Sequence, residues 1–150
     1  MYNDDIISQE DHQGWFERVT SMDDRVCFIF EEDGEPRGVG NASQRLEETN
    51  TWIWGCYLGD PGVVPGLGTK MGLFAMQQFF EEMKMGIVIG EMIKSNDVSY
   101  RFNRKLGFRE VKELSVPRGN GEMVDSILFV QTDHDWLAQR TQLLKNAGLA

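Results

Sequence analysis

The stretch Gly59-Asp60-Pro61-Gly62-Val63-Val64-Pro65-Gly66-Leu67-Gly68-Thr69-Lys70 is too rich in glycine and proline for the interior of a strand or helix. It stands between an apolar strand-like run and a helical one, which makes it a loop leading into a helix. Such a loop can bind phosphate. The first backbone NH groups of a helix have no partner inside the helix, the helix dipole favours an anion there, and glycine lets the anion approach closely. Two well-known phosphate loops do not fit. A Walker loop needs Gly-Lys-Ser/Thr, whereas this chain has Gly68-Thr69-Lys70. A dinucleotide fingerprint needs GxGxxG, but Gly66-Leu67-Gly68 is followed by Met71 and only then by Gly72.

Downstream, Glu91 sits on a strand-like run that leads to Asn96. A carboxylate there can act as a general base or orient a water, or it can simply be solvated. Asn96 suits the N-cap of the following helix, and its amide can also bind a ligand or order a water. His12 falls four positions after Ser8, where it either packs on Ile7 or faces a substrate. Cys56 has no histidine beside it in sequence, which argues against a covalent nucleophile. Lys94, Arg101, Arg104, Lys105 and Arg109 concentrate positive charge in one short stretch, either as help for an anionic ligand or as a solvated helix face.

The elements that must position these residues follow from periodicity and turn chemistry. Ser8-Gln9-Glu10-Asp11 has capping-box spacing, and Trp15, Phe16, Val19 and Met22 then share one helical face. Val26 to Phe30 reads as a buried strand, Glu31 to Gly34 as a hairpin turn, and Arg37 to Ser43 as the partner strand. Thr51 to Leu58 reads as a central strand in which Gly55 suggests a bulge. Met71 to Lys84 carries Leu73, Met76, Phe80 and Met83 at helical spacing, with Phe74 and Phe79 widening the apolar face. Gly86 to Ile93 is a second buried strand. Asn96 opens a helix that closes at Leu106-Gly107-Phe108, where Gly107 suits a left-handed cap. Arg109 to Leu114 and Met123 to Gln131 form a closing hairpin, and Asp135 to Asn146 a last helix.

A chain of 150 residues with 41% apolar content suits one domain, residues 1–150, with one core. A net charge of -9 with no Lys/Arg block argues against nucleic acid as a partner. No apolar run approaches the roughly 20 residues of a membrane helix, and the acidic Met1-Tyr2-Asn3-Asp4-Asp5 lacks the pattern of a signal peptide. A soluble, cytoplasmic protein without membrane contact is expected. Cys27 and Cys56 lack metal-ligand spacing, so free thiols and no metal site are expected.

Gly66-Leu67-Gly68-Thr69-Lys70 before a helix resembles the pyrophosphate loop of the GCN5-related N-acetyltransferase (GNAT) family, usually Gln/Arg-x-x-Gly-x-Gly/Ala. Asn96-x-x-Ser99-x-x-Phe102-x-x-Lys105-Leu106-Gly107-Phe108 resembles the Asn-x-x-Ala/Ser helix that ends in Lys-x-Gly-Phe in that family. Ile7-Ser8-Gln9-Glu10-Asp11-His12, the Val26 to Phe30 strand, Gly55-Cys56-Tyr57 and Phe79-Phe80-Glu81-Glu82-Met83-Lys84 are most similar to the UDP-4-amino-sugar N-acetyltransferases of pseudaminic acid biosynthesis. The family begins with a further strand and helix, so the chain reads as short at its N-terminus.

The resemblance implies an α/β (α+β) fold with a mixed, mostly antiparallel sheet whose central parallel strands splay around acetyl-CoA. It implies direct attack of an amine on the thioester. Cys56, Tyr57 and Leu58 would lie along the cofactor through their backbone. Val63, Val64, Gly66, Leu67, Gly68, Thr69 and Lys70 would hold the pyrophosphate, with Val63 standing where the family often has Gln or Arg. Asn96 and Asn103 would touch the cofactor, Glu91 would handle the amine proton, and His12 and Trp54 would meet the acceptor. Asn103 occupies the place of a frequent Tyr acid, so Ser99 or Tyr100 would assist the departing thiolate. The implied acceptor is a nucleotide-linked amino sugar; a protein N-terminus and a non-catalytic coenzyme A domain are the alternatives, and a homodimer is compatible.

Overall fold

The computed structural model describes residues 8–59 and 64–149. Its chain order is α1 (Gln9–Thr20), β1 (Arg25–Glu32), β2 (Glu35–Leu46), β3 (Thr51–Leu58), α2 (Leu67–Gln77), β4 (Ile87–Ile93), α3 (Asp97–Lys105), β5 (Arg109–Pro117), β6 (Met123–Thr132) and α4 (Asp133–Asn146). The six strands form one sheet in the order β1-β2-β3-β4-β6-β5. Only β3 and β4 run parallel, with α2 as their crossover; all other neighbours are antiparallel. This is the α+β architecture expected, a mixed sheet flanked by four helices. Among the described residues, no helix is long and apolar enough to cross a membrane.

Local chemistry accounts for the connections. Asp33 and Gly34 adopt φ values of 55° and 80°, the paired left-handed turn that matches the twist of a two-residue hairpin, and they join β1 to β2. Thr132 accepts the Asp135 NH at 3.1 Å while Asp135 accepts the Thr132 NH at 3.0 Å, a complete capping box at the start of α4. At α1 the box is rearranged: Ser8 Oγ accepts the Asp11 NH at 3.1 Å and donates to Asp11 Oδ2 at 2.5 Å.

The core lies between the sheet and α2, α3 and α4. Trp54 stacks on Phe108 with centroids 6.1 Å apart and 13° between planes, and it meets Phe79 edge-on at 77°. Trp136, wholly buried, stacks on Phe80 at 6.2 Å and donates its indole NH to Glu81 at 2.9 Å. Arg140 reaches the same carboxylate at 2.8 Å. Burial works against the Glu81 charge, but the bonds from Trp136 and Arg140 outweigh it and hold the carboxyl below its ordinary range.

Several expectations are corrected. The apolar run Val26 to Phe30 is an edge strand, and it is not buried throughout: Phe30 is buried while Ile29, on the other face, is 61% exposed. α1 lies along β1, but Phe16 and Met22 of its expected apolar face are exposed, while the Val19 side chain is outside the described residues. There is no bulge at Gly55, which pairs regularly with Asn41. The register shifts lie at Phe30/Glu31, Gln44/Leu46 and Glu110/Lys112. The helix expected from Met71 starts four residues earlier, at Leu67, and runs into a π-helical turn over Gln78–Glu82, where the Met83 NH reaches Gln78 O at 2.9 Å. Gly86 to Ile93 is not buried throughout: β4 alternates half-buried and buried residues over Ile87–Ile93, so among the described residues one of its faces is only partly covered.

Candidate active site: a split in the sheet beside a helix start

The parallel pairing of β3 and β4 covers only Thr51↔Ile87 to Trp54↔Gly90. Beyond that point β3 stays bonded to β2 and β4 stays bonded to β6, so the two strands part and their facing backbone edges have no strand partner. A cavity of about 280 Å³ occupies the split. Gly55, Glu91 and Ile93 line it from the open face of the sheet, and Asn96, Ser99, Phe102 and Asn103 line it from α3.

Gly90 is what lets α3 come so close. A Cβ at this position would lie 2.7 Å from Asn103 Oδ1 and 3.5 Å from Trp54 Nε1, so no larger residue fits without movement. Asn103 is 7% exposed, and its amide nitrogen donates to Ser99 O at 2.9 Å. A carbonyl can only accept, so this bond fixes the amide orientation and turns Oδ1 toward Gly90 and the split.

The second half of the site is the start of α2. Gly66 adopts φ 96°, a left-handed conformation that glycine reaches without strain, and it precedes the first helical residue. Leu67 NH reaches Val64 O at 3.1 Å and Lys70 NH reaches Gly66 O at 3.0 Å. Among the described residues, the NH groups of Gly68 and Thr69 have no backbone acceptor. They open on a groove of about 340 Å³ whose far wall is α3, with Val98, Arg101, Phe102 and Lys105. Phe102 lines both the groove and the split, so the two cavities adjoin at this side chain. Gly72 brings the helices together, since a Cβ there would meet Leu106 at 2.6 Å and Phe102 at 3.0 Å.

The structure brings Trp54, Cys56, Glu91, Asn96, Ser99 and Asn103 to the split, and Gly66, Gly68 and Thr69 to the groove. Asn96 is the N-cap of α3, accepting the Ser99 NH at 3.0 Å, so its capping and lining positions coincide. Burial pushes the Cys56 thiol up to about 12, which leaves it neutral and unreactive at physiological pH. Leu58 and Leu67 pack with Phe30 and Met71 in a small core under the helix start, supporting the turn. Tyr57 and Val64 are exposed, at 58% and 65%. Val63 lies outside the described residues, as does Ile7, the proposed neighbour of His12.

Three candidates are held elsewhere. The Lys70 ammonium pairs with Glu32 at 2.6 Å, fastening α2 to the end of β1, and its NH is used inside the helix. Tyr100 donates its hydroxyl to Glu110 at 3.0 Å on the β5 side of α3, and this bond together with the Glu110 charge raises its pKa. His12 rests against Trp15 on α1, with ring centroids 5.7 Å apart. The basic cluster also divides. Lys94 pairs with Glu113 at 2.7 Å and Arg109 with Asp135 at 3.7 Å, whereas Arg101 and Lys105 face the groove. Gly90 and Phe102 went unassigned in the sequence, where a glycine in an apolar run was the sole hint of close approach. Among the described residues, no group of three or more His, Cys, Asp or Glu side chains is placed to hold a metal ion.

No curated protein matches this chain in sequence. Solved structures share its fold. The ribosomal-protein-alanine N-acetyltransferase from Brucella melitensis has a TM-score of 0.73 at 19% identity, covering 88% of this chain and 83% of that one. A mutant of the spermidine N-acetyltransferase SpeG from Vibrio cholerae has a TM-score of 0.79 at 12% identity, with 89% and 80% covered. The aminoglycoside acetyltransferase AAC(6')-Ib, in complex with coenzyme A and kanamycin, has a TM-score of 0.74 at 21% identity, with 89% and 81% covered. The sequence profile of the acetyltransferase (GNAT) family matches residues 2–108, from before α1 to the end of the α3 cap. The chain therefore belongs to the acetyltransferase (GNAT) family and is an acetyl-CoA-dependent N-acetyltransferase.

Proposed function

We propose that acetyl-CoA runs from the start of α2, past Phe102, to the split, and that a small-molecule primary amine meets it from the Glu91 side. The observation that carries this reading is the end of β3–β4 pairing at Trp54↔Gly90, with the unpaired NH groups of Gly68 and Thr69 on the adjoining groove across Phe102. The donor set fits the group: two backbone NH groups at a helix start for the pyrophosphate, and an open strand edge for a pantetheine arm. When bound, the thioester supplies an activated acetyl carbon.

The residues of this chain then divide the work. Glu91, at the open face of the split, accepts the amine proton directly or through a water, a role worth roughly 10² to 10⁴ in rate. Backbone NH groups on the open edge of β3 hold a carbonyl oxygen, with each such donor worth about 10² or more. The Ser99 hydroxyl is the proton donor lining the thiol end; the Asn103 nitrogen is already committed to Ser99 O. Because a thiol has an ordinary pKa of about 8.5, a weak donor suffices.

For the acceptor, the resemblance favours a UDP-linked 4-amino sugar. The charge layout bears on this choice. Lys94 and Arg109 are paired, and Arg101 and Lys105 belong to the cofactor groove, so they are not available to a sugar diphosphate. The register instead sets Lys112, Leu128 and Glu91 in one row across β5, β6 and β4 on the open face. Lys112 is thus the cation that the sugar-nucleotide reading depends on. A second reading, an amine without phosphates, draws on the fact that Glu91 is the only charged side chain among the described residues lining the split. Solved neighbours include enzymes named for spermidine and aminoglycosides.

Gly68→Val tests the cofactor site. An added Cβ would meet Leu58 at 3.5 Å and Phe102 at 3.9 Å, both ordinary contacts, so the side chain enters on the groove side without a clash at its first carbon, and circular dichroism checks that the variant is folded. Calorimetry should show acetyl-CoA affinity lost, and unchanged affinity in the folded variant would refute the assignment.

A further inference from the structure

We infer that Arg101 and Lys105 read the 3′-phosphate of coenzyme A, so that the enzyme selects the 3′-phosphorylated donor over its dephospho form. The inference rests on the reading that the Gly66 to Thr69 turn holds the pyrophosphate, and it assigns a separate task to the opposite wall of the groove.

Arg101 and Lys105 stand four residues apart on α3, hence on one helical face, and both line the 340 Å³ groove across from Gly68 and Thr69. In a chain of net charge -9, cations close to carboxylates tend to be paired. Lys70, Lys94, Arg109 and Arg140 pair with Glu32, Glu113, Asp135 and Glu81. Arg101 and Lys105 have no carboxylate partner among the described residues; Arg101 gives only its Nε proton, to Asp97 O at 3.3 Å. The rest of its guanidinium fork and the Lys105 ammonium face the groove. Neighbouring Arg104 donates to Phe108 O at 3.2 Å at the end of the helix, and with Lys105 it lines a second cavity that reaches Gly66 and Thr69.

The ligand carries two kinds of phosphate with different demands. The pyrophosphate is a diester whose charge is spread, and backbone NH groups at a helix start suit it. The 3′-phosphate is a monoester with up to two negative charges, and an Arg fork with a nearby ammonium is the matching receptor. A competing explanation is that Lys105, in the last turn, merely complements the negative end of α3. That role would affect stability and leave the choice of ligand untouched.

The experiment is calorimetric titration of coenzyme A and 3′-dephospho-coenzyme A into the wild type, an Arg101→Ala/Lys105→Ala variant and an Arg101→Lys/Lys105→Arg variant. The wild type should prefer coenzyme A by about tenfold or more, the scale of a charge-assisted contact from two partly exposed cations. The double alanine variant should bind both ligands within about twofold of each other while its dephospho-coenzyme A affinity stays near that of the wild type. The charge-conserving variant should keep the preference. A preference that survives the double alanine change, or an equal loss for both ligands, would overturn the inference while leaving the cofactor site in place. If neither ligand binds the wild type, or if Gly68→Val binds both normally, the cofactor reading itself fails and the inference with it.

Discussion

Replacing Gly90 by alanine probes the contact that lets α3 sit over the mouth of the split. The new methyl would lie 2.7 Å from Asn103 Oδ1, nearer than unbonded carbon and oxygen tolerate. Asn103 has little room to yield, being 7% exposed and tied to Ser99 O at 2.9 Å. Overpacking of this kind costs about 1–3 kcal/mol, and a strained or lost hydrogen bond contributes about 1 kcal/mol. Taking ~2 kcal/mol overall, and roughly 2–4 °C per kcal/mol for a chain of this size, Tm should fall by about 4–8 °C. The cause is checked by adding Asn103→Ala, which removes the atom in the way. If the clash is responsible, the double variant should be more stable than the sum of the single changes by about 1–2 kcal/mol. Thermal unfolding followed by circular dichroism gives the four stabilities. An unchanged Tm in Gly90→Ala, or strict additivity in the cycle, would refute the packing argument.

Other outcomes follow from the same geometry. Glu91→Gln should lower kcat by about 10² or more at neutral pH with acetyl-CoA affinity nearly unchanged, since proton removal belongs to the chemical step; equal rates at every pH would remove Glu91 from the mechanism. Tyr100→Phe should leave kcat within about twofold, because its hydroxyl is bonded to Glu110 on the far side of α3, while Ser99→Ala should lower it; steady-state rates of the two variants decide between the hydroxyls. Cys56, raised from 9.0 to about 12, stays protonated in the fold while the unfolded chain ionises, so its contribution to stability is present below pH 9 and is lost as pH rises toward 12. Denaturant titrations at pH 8 and pH 10 should therefore show a loss of order 1 kcal/mol in the wild type that Cys56→Ala lacks; equal losses in both would contradict the burial of the thiol. Lys112→Glu should depress turnover of a UDP-linked amino sugar more than that of spermidine, and equal effects on both would separate Lys112 from acceptor binding.

Much of the scaffold is written in local sequence. Asp33-Gly34 dictates a tight hairpin, Thr132 and Asp135 cap α4, Asn96 caps α3, and Gly107 at φ 89° ends it. Each depends on a few neighbouring residues, so its physics is present in the string. The Gly-rich turn before α2 was legible for the same reason, although the first helical turn was read as loop: Gly66 to Lys70 has the composition of a loop, yet Lys70 NH already bonds to Gly66 O at 3.0 Å. Composition reports propensity, and packing of Leu67 with Phe30 and Met71 overrides it here.

What the string could not decide is which partners distant elements choose. Val26 to Phe30 is apolar enough for a central strand, but the sheet order makes it an edge. Lys94, Arg101, Lys105 and Arg109 look like one basic patch in sequence, and helical and strand geometry send them to Glu113, the groove and Asp135. Tyr100 and Ser99 are adjacent in the chain, yet a step of about 100° around α3 puts one hydroxyl on Glu110 and the other in the split. The split itself arises because β3 and β4 stop pairing at Trp54 and Gly90 while each keeps its other neighbour. Residue types and short spacings fix caps, turns and the kind of chemistry available; the packing of α3 against Gly90 and Gly72 decides which of those side chains meet.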